Sequence, residues 1–175
     1  MKRDRKSLTS RPKPMQRQHA VLEKEKYRAI KVRERKRMGE ALRTQTELKR
    51  AIFNSAQAAT FILDAQNPPR ILDCNKAASS IFGYQKPEML GKTTALLQVD
   101  DGGPREFQSL LYPAMNEELP FELQEFVMKR KDGSIFPSEH SVSQLRNDKG
   151  QRISSVSVVR DITERKQIED RVKEV

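Results

Sequence analysis

Three consecutive runs with a period of two residues occupy the last third of this 175-residue sequence. They read FELQEFVMKR, SIFPSEHSVSQLR and RISSVSVVR, and the short loops KDGS and NDKGQ join them. Alternating apolar and polar residues are typical of a strand with one buried face, and glycine in a short loop favours a hairpin. The sequence therefore predicts three antiparallel strands that follow one another along the chain.

Two further strands and several short helices are predicted before these hairpins. TFILDA and RILDCN are strand-like runs separated by a polar turn with two prolines. KAASSIFGY, PEML, GKTTALLQ and PREFQSLLYPAMNE are helical candidates, and Gly83 and Gly91 are placed to end the first two. Asn75 is a predicted N-cap. The predicted fold class is α+β: a five-stranded antiparallel sheet with short helices on one face, flanked by a long N-terminal helix and a C-terminal helix.

The charge is divided unevenly along the chain. Residues 1–50 hold 18 Lys and Arg against 6 Asp and Glu, a net charge of +12, whereas the rest of the chain carries −2. Five of eight positions in a heptad register from Tyr27 to Ile52 are apolar. These patterns predict a disordered basic tail (1–18), a basic helical or coiled-coil segment (19–50), a folded domain (51–163) and a C-terminal helix (164–175).

Several classes of protein are disfavoured by the sequence. No run approaches the roughly 20 apolar residues of a membrane-spanning helix, and the basic start lacks the apolar stretch of a secretory signal. The single cysteine, Cys74, suits a reducing compartment, and the cytoplasm is the predicted location. Nucleotide-binding, metalloprotease and serine-hydrolase motifs are missing, so we expect a protein that is not an enzyme.

Five short stretches resemble a PAS domain with its C-terminal PAC segment. They are ILD (62–64), ILDCNKAASSIFGY (71–84), EMLGK (88–92), KDGSIFP (131–137) and RDITERK (160–166). The resemblance covers about residues 48–170. It implies that residues 51–163 form a PAS/PAC sensor domain and that residues 164–175 form a signalling helix.

The junction between the last strand and the last helix lies in VVRDITERKQIED. Asp161 and Glu164 have the spacing of a capping box, and Thr163 offers a second hydroxyl cap. In PAS proteins the similar Asp-Ile-Thr element joins sensor and output helix, which implies a signal-transfer role for Asp161, Thr163 and Glu164. Beyond it, the spacing of Ile168, Val172 and Val175 begins a coiled-coil stripe. The alternative is a capped terminal helix without a signalling role.

The resemblance also implies a cavity between sheet and helices, which in PAS relatives holds haem, flavin, another chromophore, a small metabolite or nothing. GKTTALLQ resembles the flavin photoreceptor branch, but Thr94 stands where the reactive cysteine would be, which disfavours a flavin photoadduct. Haem is disfavoured because the helical stretch that would supply its ligand contains no histidine. Cys74 is expected to be an inert thiol. The cofactor is left unknown, with no cofactor as one of the options, and no metal site is predicted.

The candidate pocket combines helical and strand residues. Alternation along SIFPSEHSV groups Ser138 and His140 on one face, which favours a polar wall. The predicted pocket residues are Phe107, Leu111, Phe126, Met128, Ser138, His140, Val156 and Val158. The alternative is that these side chains form an ordinary core and that His140 has a satisfied hydrogen bond.

Two functional hypotheses remain open. The first is a sensory or interaction module that couples a small ligand, redox state or partner to movement of flanking, dimerising helices. Its output would be a partner protein or a missing domain, such as a histidine kinase or cyclic-nucleotide enzyme. The second is a nucleic-acid-binding regulator, for example of transcription, that uses the basic N-terminal arm. It is less favoured because glutamates interrupt the basic residues and only Tyr27 could stack on bases.

Overall fold

The computed structural model describes residues 14–99, 103–116 and 121–173. The helices are α1 (Pro14–Ser55), α2 (Lys76–Phe82), α3 (Lys86–Met89), α4 (Gly103–Asn116) and α5 (Thr163–Lys173), with a 3₁₀ turn at Thr94–Leu97. The strands are β1 (Ala59–Leu63), β2 (Ile71–Cys74), β3 (Phe121–Lys129), β4 (Ile135–Arg146) and β5 (Arg152–Asp161).

The five strands form one antiparallel sheet in the order β2-β1-β5-β4-β3. The last strand along the chain therefore lies in the middle of the sheet, between β1 and β4. A central strand has neighbours on both edges, so each of its backbone groups can join the hydrogen-bond ladder. The predicted α+β class, with five antiparallel strands, short helices and a long flanking helix at the N-terminal end, is confirmed.

Two compact units divide the chain at residues 49 and 50. The first contains most of α1, which begins at Pro14 and ends at Ser55, whereas the helical segment was predicted at 19–50. Proline is well suited to the first turn of a helix because the amide hydrogen that it lacks has no partner there. Residues 1–13, which hold most of the predicted tail, lie outside the described residues, as does Val175.

The second unit contains the sheet and its core. The rings of Phe61, Phe82 and Phe136 meet edge to face, with centroid distances of 5.7 and 5.5 Å. Such aromatic pairs contribute beyond the area that they bury. A smaller cluster of Leu111, Phe121 and Val142 lies toward α4 and shares Phe107 and Leu123 with the first.

Asn75 connects the start of α2 to β1. Its side-chain oxygen accepts hydrogen bonds from the amide of Ala78, as a helix cap, and from the amide of Thr60, both at 3.0 Å. Its side-chain nitrogen donates to the carbonyl of Ala58 at 2.9 Å. The predicted N-cap therefore also fixes α2 against the sheet, which explains why this polar side chain is fully buried.

Candidate functional site

The inner face of β5 carries serines. Ser155, Ser157 and Val159 are buried, whereas Val156 and Val158 are half-buried on the opposite face. Ser157 is paired with Phe61 on one side and with Val142 on the other. Residues paired across a sheet point to the same face, and Phe61 and Val142 belong to the core.

The prediction that Val156 and Val158 line the interior pocket is therefore wrong. The assignment failed because valine was expected to mark the buried face, whereas here the smaller serines face the helices. A small inward side chain leaves space above the sheet, which a valine would fill.

The other predicted pocket residues lie on the interior side of the sheet. Phe126 and Met128 from β3, and Ser138 and His140 from β4, are buried. Phe107 of α4 covers Phe126 and His140, and Leu111 of the same helix packs with Phe121 and Val142. The ring centroid of Phe107 is 5.3 Å from that of Phe126 and 5.0 Å from that of His140. The structure thus brings an imidazole into a group of aromatic rings.

His140 is neutral in this environment. Burial lowers its pKa to about 4. The hydroxyl of Ser138 donates its one proton to the carbonyl of Phe126 at 2.7 Å, so at 2.9 Å it accepts from Nε2 of His140. Nδ1 is then an acceptor, and it is buried without a hydrogen-bond partner among the described residues.

An interior cavity of about 40 Å³ lies between the sheet and the helical side. Its lining includes Thr94, Gln98, Phe107, Ser155 and Ser157. Three of these residues, Gln98, Ser155 and Ser157, were not among the predicted pocket residues. The alternating serines of RISSVSVVR and the glutamine directly after Leu97 were the available signals, but strand register was needed to interpret them.

The cavity is small for the cofactors considered above. Pockets for drug-sized ligands measure roughly 300–1,000 Å³, so neither a flavin nor a haem fits this space without displacement of its walls. Thr94 contributes a hydroxyl to the lining of this cavity. Burial raises the pKa of the thiol of Cys74, which lies at the end of β2. No group of three or more His, Cys, Asp and Glu side chains within the described ranges could hold a metal ion.

A second cluster surrounds the junction between β5 and α5. Oδ1 of Asp161 accepts hydrogen bonds from the amide and the hydroxyl of Thr163, at 2.9 and 2.6 Å. Its other oxygen accepts from Arg130 at 2.6 Å. Burial alone would raise the pKa of Asp161, but the hydrogen bonds from Thr163 and Arg130 outweigh it and lower that pKa.

The cap at this junction differs from the predicted capping box. Helix α5 begins at Thr163, so Asp161 precedes the cap position and bonds to Thr163 rather than to Glu164, which is exposed. The amide of Ile162 donates to the carbonyl of Pro137 at 3.0 Å, and the side chain of Ile162 is buried. The chain is therefore anchored to β4 immediately before it enters the helix.

The contacts from α5 to the sheet are ionic. Arg165 pairs with Glu139 of β4 at 2.6 Å, and Lys166 pairs with Glu125 of β3. No residue of the described part of α5 is buried, and Ile168 and Val172 are exposed. None of the described helices combines the length and apolar character that a membrane span needs.

Comparison with known proteins identifies this architecture. The family model described as "PAS domain" matches residues 57–164. A PAS domain from Colwellia psychrerythraea superimposes with a TM-score of 0.62 at 24% identity, over 68% of this chain and 98% of that one. A PAS domain from a two-component sensor histidine kinase gives 0.55 at 18% identity, over 68% and 97%. An RNA-binding light-oxygen-voltage receptor gives 0.61 at 23% identity, over 74% of this chain and 36% of that one. This chain belongs to the PAS domain family.

Proposed function

We propose that this chain is a sensory module of signal transduction, in which a change inside the sheet domain moves α5 through the junction at Asp161. The stimulus would be a small ligand, a redox change or a partner. The output would be a partner protein or a domain outside this sequence, such as a histidine kinase or a cyclic-nucleotide enzyme. The single buried thiol of Cys74 favours the cytoplasm as the place of action.

The contacts of Arg130 carry this proposal. Its guanidinium donates to Asp161 and to the carbonyl of Ile81 in α2, and it lies 4.0 Å from the centre of the Phe136 ring. Phe136 in turn packs on Phe82 in the core. The side chain of Arg130 therefore touches a core ring, helix α2 and the last residue of β5, which itself bonds to the first residue of α5. A shift of α2 or of Phe136 changes the position of Arg130 and, with it, that of Asp161.

The coupling is tested by a distance measurement between spin labels. We would label Lys149→Cys in the β4–β5 loop and Gln167→Cys in α5, in a Cys74→Ala background. Arg130→Gln should broaden or shift the distance distribution, because it removes the bond to Asp161. Lys131→Gln, which removes the same charge from the neighbouring position, should leave it unchanged. An unaltered distribution in Arg130→Gln rejects this route of coupling.

Dimerisation through the flanking helices is a further part of the proposal. The stripe of α1 formed by Met38, Ala41, Gln45, Leu48 and Ile52 has coiled-coil spacing, and its three large apolar side chains are exposed. A second copy of this chain would cover such a stripe most simply, because identical helices present identical stripes to each other.

Nucleic-acid binding by α1 is the second candidate function, and the charge of the helix favours it. The helix holds 12 Lys and Arg against 5 Glu, and three of the glutamates are paired within it, with Lys26, Lys36 and Arg43. Excess positive charge on an exposed helix attracts phosphate groups. One protein of similar structure is an RNA-binding light-oxygen-voltage receptor, and that property of the other protein motivates a test of nucleic-acid binding here.

Binding of the full chain to a duplex of about 30 base pairs, at about 50 and 200 mM salt, separates the two functions. Nucleic-acid binding predicts a loss of at least about tenfold in affinity at the higher salt. It also predicts weaker binding by the triple variant Arg33→Gln, Arg35→Gln and Arg37→Gln. The triple variant Lys131→Gln, Lys149→Gln and Arg165→Gln, with equal charge loss in the sheet domain, is the control. No binding at the lower salt rejects the second function.

A further inference from the structure

Gln98 presents an unused hydrogen-bonding group to the interior cavity. Its side chain is 4% exposed and lines the cavity, and its Oε1 is buried without a hydrogen-bond partner among the described residues. A primary amide offers an acceptor and two donors on adjacent atoms. Buried polar groups in proteins are almost always paired, so an unpaired amide oxygen in a cavity indicates a partner that the described residues do not supply.

The walls around Gln98 restrict the chemistry of that partner. The buried hydroxyl-bearing residues Ser155 and Ser157 lie on the sheet side, and Phe107, Leu111 and Val142 supply apolar surface. The charged lining residues, Asp64 and Arg152, are only half-buried and opposite in sign, and both bond to backbone groups. An ion would lose its hydration without gaining a buried counter-charge, so the lining favours a neutral molecule.

The size of the cavity sets a second restriction. A water molecule needs at least about 10–15 Å³ of such space, so about 40 Å³ admits a molecule of roughly three or four non-hydrogen atoms. A compact amide is neutral and of this size, and its N–H group can donate a hydrogen bond to Oε1 of Gln98.

We propose that this cavity binds small neutral amides, with Gln98 as the principal polar contact and Phe107, Leu111 and Val142 around the carbon atoms of the ligand. The inference rests on the proposed sensory function and names the ligand class of its cavity. Gln98 is then the residue that distinguishes an amide from a ketone or a carboxylate of the same shape.

Acetamide, acetone and acetate provide matched test molecules, because they share one shape and differ in hydrogen-bond donors and charge. Each would be titrated into the ¹⁵N-labelled full chain up to about 100 mM, since ligands of this size bind weakly. Acetamide should shift the side-chain amide signals of Gln98 and the backbone signals of Ser155 and Ser157 to saturation. Its affinity should exceed those of acetone and acetate by at least about tenfold.

Substitution at Gln98 supplies the second arm of the test. Gln98→Met keeps the length of the side chain and removes its amide, so it should abolish the response to acetamide. Gln167→Met makes the same chemical change at an exposed position of α5 and should have no effect. The comparison of the three molecules on the unaltered chain stands even when Gln98→Met does not fold.

Three results would overturn the inference: acetone or acetate binding as tightly as acetamide, full acetamide binding by Gln98→Met, or no acetamide response at Gln98. The distance measurement on Arg130→Gln uses no ligand, so it judges the sensory proposal separately. If acetamide does not bind but Arg130→Gln alters the distance distribution, the ligand class alone is rejected. If acetamide binds but Arg130→Gln leaves the distance distribution unchanged, the cavity is a binding site that is not coupled to α5 through Arg130.

Discussion

The imidazole of His140 packs against the rings of Phe107 and Phe126, with Nε2 bonded to Ser138 and Nδ1 without a partner among the described residues. Protonation would place a charge on a side chain that is only 5% exposed to solvent and packs against the rings of Phe107 and Phe126. The cost of that charge is the reason for the low pKa of His140. At neutral pH the residue therefore acts as a polar but uncharged part of the interior.

This low pKa predicts a loss of stability in mild acid. The pKa of His140 is about 4 in the folded state against 6.5 for an unperturbed histidine, so the unfolded state binds more protons between these values. The free energy of unfolding should fall as the pH drops below 6.5, by about 2 to 3 kcal/mol near pH 4.5. Urea denaturation at neutral pH and near pH 4.5 measures this loss.

His140→Phe is the control for that experiment, because its ring suits the aromatic surroundings and does not titrate. Carboxylates titrate equally in both proteins. The difference between the two proteins in how the free energy of unfolding changes with pH therefore reports on His140 alone. Equal slopes in the two proteins would show that the imidazole gains no protons on unfolding.

Among the elements, α2 and α5 differ in how their ends are held. Helix α2 begins at the buried Asn75 and ends at Gly83, whose φ of +78° lies in the left-handed region. The amide of Gly83 donates to the carbonyl of Ser79 at 2.9 Å and so closes the last turn of α2. Helix α5 has an anchored start at Ile162 but no buried side chain along its described length. A helix held in this way can move while the sheet stays folded.

Gly83→Ala should lower the free energy of unfolding of the sheet domain by about 1 kcal/mol, the cost of a left-handed conformation for a residue with a Cβ. An added Cβ would meet only Cβ of Lys131, at 3.6 Å, which is ordinary contact, so the expected cost is conformational. Gly39→Ala within α1, where nothing lies within 4 Å, should instead raise the helical circular-dichroism signal. Equal stability of Gly83→Ala and the unaltered protein in urea would contradict this reasoning.

The ionic attachment of α5 predicts local opening. Loss of both pairs in Arg165→Gln with Lys166→Gln should speed amide hydrogen exchange in α5 by about threefold to tenfold, as expected for two partly exposed ion pairs. Exchange in β5 should not change. The double variant Arg171→Gln with Lys173→Gln removes two charges whose contacts stay within the helix, and it should leave the exchange rates near the junction unaltered. Equal acceleration of amide exchange in both double variants would show that these two ion pairs do not attach α5 to the sheet.

At the scale of the whole molecule, the sequence joins a helix with an exposed apolar stripe to a sheet domain with an exposed, charged outgoing helix. Each helix flanks the sheet domain in sequence, and each has unpaired apolar side chains at coiled-coil spacing. Two copies associated through these stripes would convert a local shift of α5 into a relative movement of two output segments.

Leu48→Glu should weaken the proposed dimer by at least about tenfold, because it places a charge in the α1 stripe. Val32→Glu makes an equivalent change at a position on the opposite side of the helix and should have no effect. Both side chains are similarly exposed in one chain, at 60% and 66%, so the contrast depends on the stripe alone. Light scattering during size-exclusion chromatography measures both variants, and a monomer at tens of micromolar for the unaltered protein would reject the dimer.

Local sequence patterns were sufficient to predict the strands, the turns and the family. Period-two runs marked β3, β4 and β5, and Asn75 and Gly83 marked the two ends of α2, because these signals depend on neighbours within a few residues. Asp161 was predicted as the first residue of a capping box, but it lies one residue before the cap position and bonds to Thr163 instead of Glu164. The residue at which α5 starts decides whether Asp161 bonds to Thr163 or to Glu164. That start depends on the bond between the amide of Ile162 and the carbonyl of Pro137 in β4, which a local pattern does not reveal.

By itself, the sequence determined an α+β chain with a basic helical arm, five strands and a capped last helix. The tertiary structure decided which face of β5 points inward, that β5 lies at the centre of the sheet, and that Gln98 shares a cavity with Ser155 and Ser157. The physical reason is that alternation along a strand divides its residues between two faces but does not determine which face points to the helices. Only pairing with Phe61 and Val142, on neighbouring strands, turns Ser155 and Ser157 toward the helices and Val156 and Val158 away from them.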